Sequence, residues 1–82
     1  MTPPLVLIEW EDSCQRYGWT RDPVEPAKPL VCHSVGWLVS STKAAKTITA
    51  NISVEDEGQR CGDMTIPNKA IISIRKLKPA TK

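Results

Sequence analysis

The sequence predicts an all-β protein: a small, strongly bent, five-stranded antiparallel barrel with a long irregular loop after the first strand. Three observations carry that expectation. Apolar residues fall in short runs rich in Val and Ile, with three Trp and no Phe, which suits strands better than helices. The longest run after the N-terminus, Val31-Cys32-His33-Ser34-Val35-Gly36-Trp37-Leu38-Val39, carries apolar residues on both alternate faces, as a central strand does. Gly36 in its middle provides a place to bend or to admit another backbone. No heptad, internal repeat or long amphipathic helix competes with this reading. With 82 residues the chain makes one domain, residues 1–82, in which nearly every large apolar side chain is needed for the core.

Taken in order, residues 1–4 are expected to fray before Leu5-Val6-Leu7-Ile8-Glu9-Trp10 forms the first strand, with Val6, Ile8 and Trp10 on one face. Asp12-Ser13 stops it. Residues 11–29 have no clean period, and Pro23, Pro26 and Pro29 forbid a long helix. Asp22-Pro23-Val24-Glu25 has the cap and first-turn residues of a single helical turn. The central strand covers residues 30–40 and should bury Trp37, so that Trp37→Ala costs about 3–5 kcal/mol. A polar turn leads into a hairpinned strand with Ile48, Ala50, Ile52 and Val54 inward and Thr47, Thr49, Asn51 and Ser53 outward. Residues 55–63 read as an acidic, glycine-punctuated loop. Met64-Thr65-Ile66 forms a short fourth strand, Pro67 to Ala70 a tight turn of 3₁₀ type, and Ile71 to Leu77 the last strand, with residues 78–82 frayed.

The net charge is only +2 but is unevenly spread. Residues 1–63 carry six Lys/Arg and nine Asp/Glu, and residues 64–82 carry five Lys/Arg and no acid. A basic end of this kind reads as a solvated tail. Three cysteines, at positions 14, 32 and 61, are an odd number without repeated spacing and point to a reducing cytosol rather than an oxidised miniprotein. Cys14, Cys32, His33 and Cys61 are the residue types of a zinc site. The adjacent Cys32 and His33 point to opposite sides of a strand, though, so no metal or other cofactor is expected. His33 has no Ser or Cys partner at informative spacing, and no phosphate-cradling glycine loop is present, so no enzyme activity is expected.

What remains is binding. Arg16, Tyr17, Trp19 and Arg21 are gathered in the long loop, and aromatics beside Arg compose both protein hot spots and base-stacking sites. Two roles are open to that loop: Trp19 folds back as a lid over one end of the barrel, or the segment contacts a ligand. The sheet edges of a small barrel also allow pairing between copies as a homo-oligomer.

Two resemblances follow from these residues. Val35-Gly36-Trp37-Leu38 in a bent strand, with Ile66-Pro67-Asn68-Lys69-Ala70-Ile71 leading into Ile74, resembles an Sm-like or Src-homology-type small barrel. Trp10-Glu11-Asp12-Ser13, Gly18-Trp19, Ser34 to Val39, Cys61-Gly62-Asp63-Met64-Thr65-Ile66-Pro67 and Ile71 to Leu77 resemble a group of small uncharacterised bacteriophage and prophage proteins. That second resemblance implies a viral accessory protein in the cytoplasm of a bacterial host. The resulting expectation is a non-enzymatic protein that binds a host or viral macromolecule. The alternatives are an oligomeric counter-defence sponge for a small nucleotide signal and a single-stranded nucleic-acid binder.

Overall fold

Five antiparallel strands form one sheet in the order β4-β3-β2-β1-β5. The computed structural model describes residues 2–55, 58–78 and 80. The strands are β1 (Leu5–Asp12), β2 (Leu30–Ser41), β3 (Ala45–Ile52), β4 (Arg60–Pro67) and β5 (Ile71–Lys76), and the 3₁₀ turn η1 (Asn68–Ala70) joins β4 to β5. Asp56 and Glu57 of the expected acidic loop, and Met1, Pro79, Thr81 and Lys82 of the expected frayed ends, lie outside the described residues. The N-terminal end is anchored as far as Pro4, whose carbonyl accepts from the Leu38 amide at 2.8 Å.

The core sits on one face of the sheet. Val6 and Ile8 of β1, Ile48 of β3 and Ile66 of β4 are buried, with Trp10, Leu38, Ala70 and Ile71 packed against them. Val6 pairs with Gly36, Ile8 with Ser34 and Trp10 with Cys32, so the inner face of β2 is Cys32, Ser34, Gly36 and Leu38. The Trp10 indole N–H donates to Ser34 Oγ at 3.0 Å, which satisfies the polar end of a half-buried aromatic.

Ile66 and Ile8 lie three strands apart, about 14 Å across a flat sheet. They share one cluster because the sheet curls. Two register shifts accompany the curl, one between Leu38 and Ser40 against β3, the other between Glu9 and Trp10 against β5. Each leaves one residue unpaired, Val39 and Ile72 respectively, and bulges of this kind bend the strand that carries them.

The expected barrel does not close by hydrogen bonding. No ladder joins β4 to β5 among the described residues. Pro67 ends β4 without an amide donor, and η1 carries the chain across the open end. η1 is tied to the β2–β3 turn instead: Asn68 N donates to Ala44 O at 2.9 Å and Asn68 Nδ2 to Thr42 O at 2.8 Å.

Four local expectations are corrected. β2 does not bury both faces, since Val31 and Val35 remain 52% and 54% exposed on its outer side. On the inner face β3 passes so close at Gly36 that a Cβ there would stand 2.8 Å from Thr49 O. On β3 the alternation fails at three places: Thr49 is buried, Ala50 is exposed, and Val54 lies past the end of the strand, fully exposed. Thr49 tolerates burial because its hydroxyl donates to Cys61 O at 3.2 Å. β4 is longer than expected, running back to Arg60. Residues 22–25 form a bend and no helical turn; the Asp22 amide is taken by Thr20 Oγ1 at 3.0 Å.

Trp37 belongs to the outer face, paired with Leu5 on one side and Thr49 on the other, and is half-buried rather than part of the core. The cost expected from its sequence position is therefore too large. Trp37→Ala should lower unfolding stability by about 1–2 kcal/mol, roughly half of a full core deletion, in urea melts of the two chains. A loss near 4 kcal/mol would mean that the outer face carries a second core.

Candidate functional site

β1 and β2 stay paired to their far ends, where Asp12 faces Leu30. Between them, residues 13–29 have no regular structure, and every one is exposed. Asp12 terminates the strand by accepting the Ser13 amide on its own carboxylate at 2.8 Å, and the prolines at 23, 26 and 29 deny the return path helix or ladder. The segment stands off the sheet. The radius of gyration is 16.7 Å, against about 12 Å for a compact chain of this length, and the molecule is 55 Å long.

All four residues singled out by the sequence lie on this arm. Tyr17 is 84% exposed and Trp19 is fully exposed, so Trp19 covers nothing and the lid role is set aside. Gly18 between them has φ +90°, a conformation that L side chains rarely adopt, and open space surrounds it. Arg16 lines a shallow recess of about 650 Å³ with Thr20, Asp22, Pro23, Val24 and Glu25. Tyr17, Trp19 and Arg21 are not in that lining. The arm therefore offers a projecting aromatic surface with arginines on either side of it in sequence. It does not form a pocket around the aromatics.

The zinc-type residues do not come together. Cys14 is on the arm, Cys32 on the inner face of β2, His33 on its outer face and Cys61 on β4, and all three cysteines are free. His33 Nε2 instead meets Glu9 Oε2 at 2.8 Å across the β1–β2 ladder. On β4, the Arg60 guanidinium bonds to Asp63 at 3.1 Å and holds that carboxyl below its usual range. Both pairs are solvent-exposed, so each contributes little to stability.

A second concavity escaped sequence reasoning. Trp37, Ile52, Val54, Pro3 and Glu55 border a recess of about 480 Å³. Its walls come from the N-terminus, β2, and the end of β3 with the connection that follows it, which are distant in sequence. Only the apolar character of Trp37 and Ile52 hinted at it.

No protein-family model, curated protein or solved structure matches the chain. Among the described residues no helix is long and apolar enough to cross a membrane.

Proposed function

We propose that this chain is a non-enzymatic accessory protein of phage type. It acts in the bacterial cytoplasm by docking the arm of residues 13–29 onto a protein partner, with Trp19 as the principal anchor. The observation that carries this reading is the complete exposure of Trp19 on a segment that projects from a small sheet. A large apolar side chain held in water is unfavourable, and Trp, Tyr and Arg are the residues on which interface energy concentrates.

The geometry also ranks the alternatives. A small nucleotide is held in a concavity that buries most of its surface. Tyr17 and Trp19 on the arm stand exposed and are better suited to entering a partner's groove. A single-stranded nucleic acid needs a cationic track beside its stacking platform. On the arm, Arg16, Arg21 and Lys28 are offset by Asp22 and Glu25, leaving little net charge for phosphate. The strand order, the bent central strand and the 3₁₀ turn before the last strand support kinship with Sm-like small barrels, in an open form.

Capture from bacterial lysate tests the reading. The wild-type chain is expected to retain a specific protein, and the Trp19→Ala/Arg21→Ala chain to bind it roughly 30-fold or more weakly, as hot-spot truncations do. The melting temperature should hardly change, because the arm contributes nothing to the core. Equal capture by both chains would refute the arm as the site. Nucleotide released from the purified protein on denaturation would favour the sponge.

A further inference from the structure

β1 occupies only one side of β5. The other side is an open margin of the sheet, since no strand pairs there among the described residues. The Leu77 amide donates to Leu5 O at 2.8 Å, and β5 runs antiparallel to β1. In such a ladder alternate residues turn both backbone groups the same way, so residues 77, 75 and 73 face β1. Ile74 and Lys76 therefore turn their N–H and C=O groups outward, with no strand to receive them. Residues 73–77 span about 17 Å, an ordinary strand length, beyond the bulge at Ile72. β4, at the other margin, is a poorer template. Gly62 at φ +88° interrupts its extended course, and Pro67 has no amide to donate.

The side chains define what the β5 edge accepts. Ile72 and Ile74 are 49% and 37% exposed beside it. Arg75 lies on the outer face opposite Leu7, and Lys76 on the inner face opposite Val6. Lys69 and Lys78 flank them in sequence, and residues 64–82 contain no acid. Glu9, the nearest carboxylate in register, stands opposite Ser73 and meets His33 at 2.8 Å. A strand laid along β5 is best matched by an apolar residue beside Ile74 and acids beside Arg75 and Lys76, because opposite-charge cross-strand pairs are favourable. The β5 edge of a second copy is the wrong occupant. It would crowd Arg75 and Lys76 of both copies into one seam, and basic side chains on an edge oppose that pairing.

We infer that residues 73–77 take up an extended acidic segment of another protein by strand addition, with the outward N–H and C=O groups of Ile74 and Lys76 as the hydrogen-bonding positions. In this mode the backbone bonds supply affinity and the alternating side chains supply specificity. The edge is a second binding surface, independent of the arm.

The probe is the synthetic peptide Thr-Val-Glu-Glu-Val-Thr with blocked ends, which presents apolar residues around two acids in either strand direction. In a nuclear magnetic resonance titration of the full chain, the amide protons of Ile74 and Lys76 should move downfield on binding. Those of Arg75 and Leu77, already turned to β1, should move little. The same peptide with Lys in place of Glu should bind roughly tenfold more weakly, and Arg75→Glu/Lys76→Glu should reverse that preference. This variant should keep its melting temperature, because both side chains are exposed and neither holds an ion pair among the described residues. Methylating the peptide's backbone nitrogens should abolish binding. Unmoved Ile74 and Lys76 amides, or equal binding of the methylated or the Lys peptide, would overturn the inference. So would displacement of the peptide by oligothymidylate, which would assign the edge to phosphate, or self-association of the free chain through β5. Trp19→Ala should bind the peptide as the wild-type chain does, so failure of the arm reading leaves this inference standing.

Discussion

Ile8→Ala is expected to cost about 3–4 kcal/mol, the largest effect of any single side-chain truncation in this chain. Ile8 is completely buried at the centre of the molecule, on a strand flanked by β2 and β5, and its register partners are Ser34 and Ile74. Deleting its three outer carbons removes apolar burial and leaves a cavity that a β-ladder on both sides cannot collapse. Small domains have only about 5–15 kcal/mol of stability in total, and one of this size loses about 4–8 °C per kcal/mol. The melting temperature should therefore fall by about 15 °C or more in a calorimetric scan. A midpoint within a few degrees of wild type would show that the core is not centred on β1.

Gly36→Ala comes next, and it acts by adding atoms. A Cβ at position 36 would stand 2.8 Å from the carbonyl oxygen of Thr49 and 3.1 Å from Ile48 Cβ. Neither neighbour is the far end of a flexible side chain. One is backbone in the β2–β3 ladder and the other is the root of a buried isoleucine, so relief requires β3 to move. Overpacking of this kind costs about 2–3 kcal/mol, more than Ala gains over Gly in an extended strand. Amide exchange in β2 and β3 should accelerate together, and a neutral or stabilising substitution would mean that the two strands are not held this closely.

The same two residues show what the sequence could and could not disclose. Ile8 sits in a regular alternation with Val6 and Trp10, so its strand and its buried face were legible. For β2, both faces carry apolar residues, and alternation alone does not say which turns inward. The answer lies with β3, whose backbone comes so close at position 36 that a Cβ would clash, so the face carrying Gly36 turns inward. Thr49 misleads for a related reason: a hydroxyl supplied with a carbonyl acceptor is as buriable as a valine. β4 was largely hidden by the polar and glycine residues at its start, which carry no apolar alternation and are held to β3 by the backbone ladder and by Thr49 and Asn51 donating to the Cys61 carbonyl. Pro67 to Ala70 was legible because proline and a short polar turn leave few conformations. On the arm, the aromatic and arginine content was legible but its exposure was not, since a lid and a projection have the same composition. The recess at Trp37 was illegible because it joins three segments that meet only in the fold.

The central claim, that the arm is the binding element, is tested most directly by amide hydrogen exchange on the free chain and on the chain bound to its captured partner. In the free chain, residues 13–29 have no ladder hydrogen bonds and are exposed throughout, so their amides should exchange fast while those of β1 to β3 are protected. In the complex, protection should appear in 13–29, strongest around Gly18 and Trp19, with the sheet little changed. Amides of 13–29 that exchange as fast in the complex as in the free chain, with new protection elsewhere, would contradict the account.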